Sequence, residues 1–302
     1  MVEHCIDIAK VTGSSPVLPT STAHNNEPNG KCMNTLQDTY KNEFDVAKNI
    51  AYEAGKIMLQ YFDSDVGETI KQDSTPLTIA DEKINALVIE SISSNFPSHG
   101  IIAEEGSTGT GSEECEWICD PIDGTIPFVL RFPMSVFSLA FYVNKKPIFG
   151  ILFDPFRNIL YHAFHGHKAY ANDSVIQVKP GKLQIGDTVG LISFVKQSSE
   201  VFDCTHLSRV LNHRLIRSEE VHSLCYFSVS LASGFLKCAF TPSAFVWDRA
   251  ASSIIVEAAG GVMADENGNP FDPFTTPKFL LISNKDTLPE MVQLARDYIV
   301  TS

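Results

Sequence analysis

The segment Asp120-Pro121-Ile122-Asp123-Gly124-Thr125 sets two carboxylates three residues apart, directly after the apolar run Trp117-Ile118-Cys119. A second apolar run, Ile101-Ile102-Ala103, leads into Glu104-Glu105, and a further acid, Asp248, follows Trp247 where a helical pattern begins. Taken singly, each has an ordinary explanation. Pro, Asp and Gly are turn residues, an Asp at a helix start serves as a cap, and a glutamate after a strand is commonly a solvated loop acid. Gathered within a few ångströms, however, such carboxylates repel one another, and only cations or raised pKa values relieve that. Hard oxygen donors with no His or Cys among them point to Mg²⁺, or alternatively Mn²⁺, rather than zinc. Two such ions suit in-line phosphoryl displacement, one lowering the pKa of a bound water and the other stabilising the leaving oxygen. A helix opening at Gly124-Thr125 adds backbone N–H groups directed at a phosphate.

Positioning acids so far apart in the chain is the task of an alternating pattern of helices and strands. Phe44, Ala47, Ala51, Ala54 and Met58 recur at three and four residues, which predicts one long amphipathic helix from Leu36 to about Phe62. After the turn-rich stretch 71–76, Thr78 precedes Asp81 at capping-box spacing, and Ile84, Leu87, Val88 and Ile92 form a second apolar stripe that stops before Pro97. The runs 136–143, 148–153 and 159–164, separated by turn signals such as Asn144-Lys145-Lys146-Pro147, predict an antiparallel meander. Beyond Pro180 the expected order is strand 189–194, helix 207–211, a strand near Leu215, helix 228–234, strand 237–240, helix 247–259, strand 279–282 and a closing helix to about Val300. The predicted organisation is therefore a disordered tail over 1–34, rich in Pro, Ser, Thr, Asn and Gly, an α+β half over 35–180 with the metal site, and an α/β half over 181–302.

Composition narrows the function classes. The chain has 302 residues, 44% hydrophobic and 20% charged, which is ordinary globular usage. A net charge of −13 argues against a surface that grips a nucleic-acid polymer, and it requires any anionic substrate to meet a local positive charge such as a bound cation. Seven cysteines without a C-x-x-C pair read as reduced thiols. With no run of about 18 apolar residues and no signal-peptide pattern, a soluble, cytoplasmic protein is expected. His162, His165 and His167 lie close together in sequence but, on a hairpin away from the acids, are not expected to be ligands.

Three ordered motifs carry a resemblance: Ala103-Glu104-Glu105-Gly106-Ser107, the segment from Trp117 to Thr125, and Trp247-Asp248-Arg249-Ala250-Ala251 running on to Gly260-Gly261. With Arg131-Phe132-Pro133, and Lys71 placed before Asp81, they make the chain resemble the inositol monophosphatase family of Mg²⁺-dependent, lithium-sensitive phosphatases over residues 38–300. The resemblance implies a layered α-β-α-β-α sandwich of the kind shared with fructose-1,6-bisphosphatases. It implies one ion held by Glu104, Asp120 and the Ile122 carbonyl, a second held by Asp120, Asp123 and Asp248, and a third, weaker one steered by Glu104. Asp81 and Thr125, with Glu104, become the catalytic set that orients the attacking water. Asp123, Gly124, Thr125, Asp248 and Lys71 become substrate contacts. The implied substrate is a small phosphorylated metabolite, inositol monophosphate or a related sugar phosphate. A sugar bisphosphate and a 3′(2′),5′-bisphosphate nucleotide are alternatives, and an inactive metal-binding regulator is the non-enzymatic one. A homodimer is implied as well. Three departures bear on the substrate: Pro127 stands where the family usually has Asn, Thr241 where inositol-binding relatives have Glu, and His222-Ser223-Leu224 where they have a smaller wall.

Overall fold

The computed structural model describes residues 35–63, 69–70, 76–107, 112–193, 202–242 and 245–301. The expectations for 1–34 and for Lys71 lie outside them. Residues from Thr35 onward form one compact unit.

Helix Lys41–Phe62 buries Ala47, Ala51, Ala54 and Met58 of the foreseen stripe, together with Ile50, while Phe44 of that stripe is half-buried. The expected single helix from Leu36 is interrupted, because Tyr40 leaves helical geometry (φ −111°, ψ 28°) and its ring packs edge-on against Phe141. Leu36–Thr39 is thus a separate turn of helix with its own Thr35–Asp38 capping box. Helix Ile79–Asn95 begins with the anticipated box: Thr78 accepts from the Asp81 N–H, and Asp81 accepts from the Thr78 N–H.

Against this helix pair lies a seven-stranded sheet. Its first two strands, His99–Ala103 and Ser112–Asp123, are parallel. The remainder is an antiparallel meander through Val136–Val143, Lys146–Asp154, Ile159–Phe164, Ala169–Ala171 and Ser174–Ile176. Residues alternate between its faces with the period of two that a pleated strand imposes. Phe137, Leu139 and Phe141 join the cluster under the first helix pair, while Val136, Ala140 and Tyr142 join the cluster on the other face.

That second face carries helices Leu224–Ala232 and Val246–Ala258, which also cover the second sheet. In this sheet Arg217–Glu220, Thr188–Leu191 and Cys238–Pro242 are parallel, followed by antiparallel Phe279–Asn284 and Gly261–Ala264. Leu280 and Ile282 face the middle helices, and Leu281 faces helices Thr205–His213 and Leu288–Tyr298 on the outer side. The section is therefore the five-layer α-β-α-β-α sandwich. Helix Val246–Ala258 sits directly on strand Lys146–Asp154: a Cβ on Gly150 would lie 2.9 Å from the Ala251 carbonyl oxygen.

The strand expected near Leu215 starts at Arg217, because Leu215 occupies a left-handed turn (φ 58°) that ends the preceding helix. The helix expected over 228–234 starts earlier, at Leu224, where Ser223 caps it. Strands Ala169–Ala171, Ser174–Ile176 and Gly261–Ala264 are too short to show a period in sequence. Among the described residues no helix is long and apolar enough to cross a membrane.

Candidate active site

In Ser112–Asp123, alternation sends Trp117 and Cys119 to the outer core and Ile118 to the middle layer. Asp120 continues the inward series. Asp123, three residues on, would face outward in a regular strand. It does not, because the pairing shifts between them: Asp120 lies opposite Ser138 and Asp123 opposite Val136, so three steps on one strand match two on the other. This bulge inserts one residue and turns both carboxylates to the same side. The Ile122 N–H inside the bulge donates to Asp120 Oδ1 at 3.0 Å. Thr125 Oγ1 donates to the Ile122 carbonyl at 3.2 Å.

Gly124 then starts the short helix Thr125–Val129 from a left-handed conformation (φ 89°, ψ 49°), confirming the helix opening foreseen there. A Cβ on Gly124 would stand 2.9 Å from Ser223 Cβ and 3.1 Å from the Met134 carbonyl. Both the backbone angle and the close approach require glycine. Pro127 is buried within that helix.

Asp248 arrives from the middle layer. It is the third residue of its helix rather than the N-cap, and its carboxylate accepts from the Phe245 N–H at 2.8 Å. Ser138 Oγ donates to the Trp247 carbonyl at 3.3 Å, tying the helix start to the first sheet. One oxygen from each of Asp120, Asp123 and Asp248 lies within 4.8 Å of the others, the one such grouping of three or more His, Cys, Asp or Glu among the described residues. Glu104 follows the strand next to Asp120, its N–H donating to the Cys119 carbonyl at 3.2 Å. After burial, its charge is the strongest influence on Asp120. The three histidines do not converge: His162 Nε2 meets the Asn172 carbonyl, and His165 lies 4.0 Å from Glu257.

Two donors to Asp123 carry no sign in the acidic motifs. Ser223 Oγ donates to Asp123 Oδ2, and so does the Cys225 N–H, at 2.8 Å. The sequence reads 222–224 only as a bulkier wall. A serine immediately before an apolar helical run is a capping signal, and that would have placed Ser223 at a helix start.

The electrostatics are those of acids packed together out of water. Burial, then Glu104, Asp123, Asp248 and Asp81, push the Asp120 carboxyl well above its ordinary range. Burial, then Asp123 and Glu104, do the same to Asp248. Asp123 is raised to about 6 by burial, against the pull of its Ser223 and Cys225 donors. Asp81 is raised to about 7, burial outweighing the Thr78 hydrogen bonds, and its Oδ1 has no hydrogen-bond partner among the described residues. Among the described residues no Lys or Arg forms an ion pair with Asp120, Asp123 or Asp248. Crowded carboxylates, a bare buried carboxylate oxygen and no sulfur or nitrogen donor fit a hard divalent cation.

A consequence for the metal-free protein follows. Carboxyls with raised folded pKa values bind more protons in the native state than in the unfolded chain between about pH 4 and 7, so stability falls as pH rises through that window. We expect unfolding free energies from urea titration without divalent cation to drop from pH 5 to pH 8, by roughly 2–3 kcal/mol for a carboxyl held near 7. A flat profile would contradict the burial of these acids.

Comparison with known proteins identifies the family and the fold. The sequence model of the inositol monophosphatase family matches residues 40–299. Human inositol monophosphatase 1 is 31% identical over 247 residues, covering 78% of this chain and 88% of the relative. Two solved structures share the fold: extragenic suppressor protein suhB of Bartonella henselae (TM-score 0.76, 20% identity, 84% of this chain and 98% of that one) and the IMPase of Thermotoga maritima (TM-score 0.75, 24% identity, 85% and 98%). The chain belongs to the inositol monophosphatase family.

Proposed function

We propose that the protein is a Mg²⁺-dependent phosphatase that hydrolyses a small phosphate monoester, inositol monophosphate or a related sugar phosphate. The observation that carries this is the convergence of Asp120, Asp123 and Asp248 from a bulged strand and a separate helix, with no Lys or Arg among the described residues in an ion pair with them. Glu104, Asp120 and the Ile122 carbonyl are the donors for one ion, Asp120, Asp123 and Asp248 those for a second, and Glu104 steers a third. When bound, the ions supply a water of lowered pKa and neutralise charge on the phosphate and the leaving oxygen.

The residues do the rest. Asp81, held near neutrality with Oδ1 bare, is placed to take a proton from the attacking water. Thr125 Oγ1 has committed its own hydrogen to the Ile122 carbonyl, which leaves its lone pairs to accept from that water. Gly124 and Thr125 orient the phosphate through backbone N–H groups, and Asp123 and Asp248, with Lys71, complete the substrate contacts. Thr241, buried and donating to the Pro242 carbonyl at 3.2 Å, offers no carboxylate to sugar hydroxyls, so the ring is read less stringently than in inositol-binding relatives. The protein works as a homodimer, as its family resemblance implies, and in the cytoplasm, as its sequence leads us to expect.

The test compares phosphate release from inositol monophosphate, fructose 1,6-bisphosphate and a 3′,5′-bisphosphate nucleotide, with and without Mg²⁺. Mg²⁺-dependent release, greatest on the monoester and inhibited by lithium, is expected. A preference for either bisphosphate replaces the substrate class. No turnover on any ester, with Mg²⁺ still raising the melting temperature, makes the chain a metal-binding regulator.

A further inference from the structure

Helix Ile79–Asn95 carries two buried oxygens, one turn apart, that accept no hydrogen bond. Asp81 is fully buried, and its Oδ1 has no donor among the described residues. Asn85 is 7% exposed and its Oδ1 is also without a donor, while its Nδ2 donates to the Glu105 carbonyl at 3.1 Å. That second bond fixes the amide's orientation, since only the nitrogen can donate to a carbonyl. Residues i and i+4 share one helical face, so both bare oxygens lie on one side, and the Asn85 bond ties that side to the turn carrying Glu104 and Glu105.

Buried acceptors are almost always satisfied, and two bare ones on one face point to a guest that only donates. A water on a divalent cation is such a guest: its lone pair is turned to the ion and both hydrogens point outward. Mg²⁺ keeps several of its waters when bound. We propose that Asp81 Oδ1 and Asn85 Oδ1 accept from water on a cation held at Glu104, which makes Asn85 a positioning residue of the site. Its amide grips both sides at once, the hydrated ion through oxygen and the glutamate-bearing turn through nitrogen. Partners of this outer kind typically alter metal affinity 10–100-fold. The inference rests on the phosphatase reading above.

Mg²⁺ binding to the full chain, measured by calorimetric titration, tests it in the wild type and in Asn85→Leu, Asn85→Ala and Asn85→Asp. Leu and Ala remove the acceptor, and either serves if the other fails to fold by circular dichroism. Asp keeps the acceptor and loses the grip on the Glu105 carbonyl. The expected result is affinity weakened about 10-fold or more in Leu and Ala and held or tightened in Asp. Wild-type affinity in Leu and Ala overturns the inference while leaving the phosphatase reading intact. So does an Asp variant as weak as Leu, which assigns the whole effect to the turn. Absence of Mg²⁺ binding by the wild type overturns both.

Discussion

Asp120→Asn lowers phosphate release on the order of 10³-fold or more, yet raises the melting temperature of the metal-free protein at neutral pH. The two effects have one origin. Asp120 is buried among Glu104, Asp123, Asp248 and Asp81, so its ionised form is unfavourable in the folded chain. Its folded pKa lies above the unfolded value, and the native state therefore loses stability as pH rises out of the ordinary carboxylate range. Asn keeps the shape and removes the charge. Relief of about 1–3 kcal/mol corresponds to about 2–5 °C for a chain of this size. On the proposed function, adding Mg²⁺ should reverse the order, because the wild type would regain what the variant has no carboxylate to recover. Melting curves with and without Mg²⁺, beside a turnover assay, show both halves. A variant that keeps turning over removes Asp120 from the mechanism.

Gly124→Val acts through shape. The position has φ 89°, and a Cβ there would meet Ser223 Cβ at 2.9 Å and the Met134 carbonyl at 3.1 Å. A β-branched residue adds the cost of the left-handed region to that of overpacking, about 2–5 kcal/mol in sum. The damage spreads to Asp123, since Ser223 is both its hydrogen-bond donor and the cap of helix Leu224–Ala232. Urea unfolding should show the loss of stability, and phosphate release should fall with it even under conditions where the variant is folded. A variant as stable and active as the wild type would mean that the turn tolerates a side chain and that the spacing at Ser223 is irrelevant.

The features legible in the sequence are those written in side-chain type and period. The helix stripe of Ala47, Ala51, Ala54 and Met58, the Thr78–Asp81 box and the meander were readable because burial imposes a period on residue choice. Asp120, Asp123 and Asp248 were readable as acids placed beside apolar runs. Their convergence was implied only by the family resemblance and not by period or composition, since it depends on a bulge between Asp120 and Asp123 whose extra residue leaves no compositional mark. The Cys225 N–H on Asp123 was invisible for the same reason, as every residue but proline carries that donor. Tyr40 broke an otherwise continuous helical pattern through a tertiary contact with Phe141, which local propensity does not contain.

Strand Lys146–Asp154 contributes none of the three clustered acids, yet Gly150 lies under Ala251, three residues beyond Asp248. There the spacer between layer and layer is a single hydrogen atom. A methyl in its stead would prise the helix outward and carry Asp248 away from Asp120 and Asp123, which stay anchored to the sheet. Alignment of the carboxylates thus depends on a residue with no functional group at all, and the tolerance of the centre to change reaches well past the side chains that compose it.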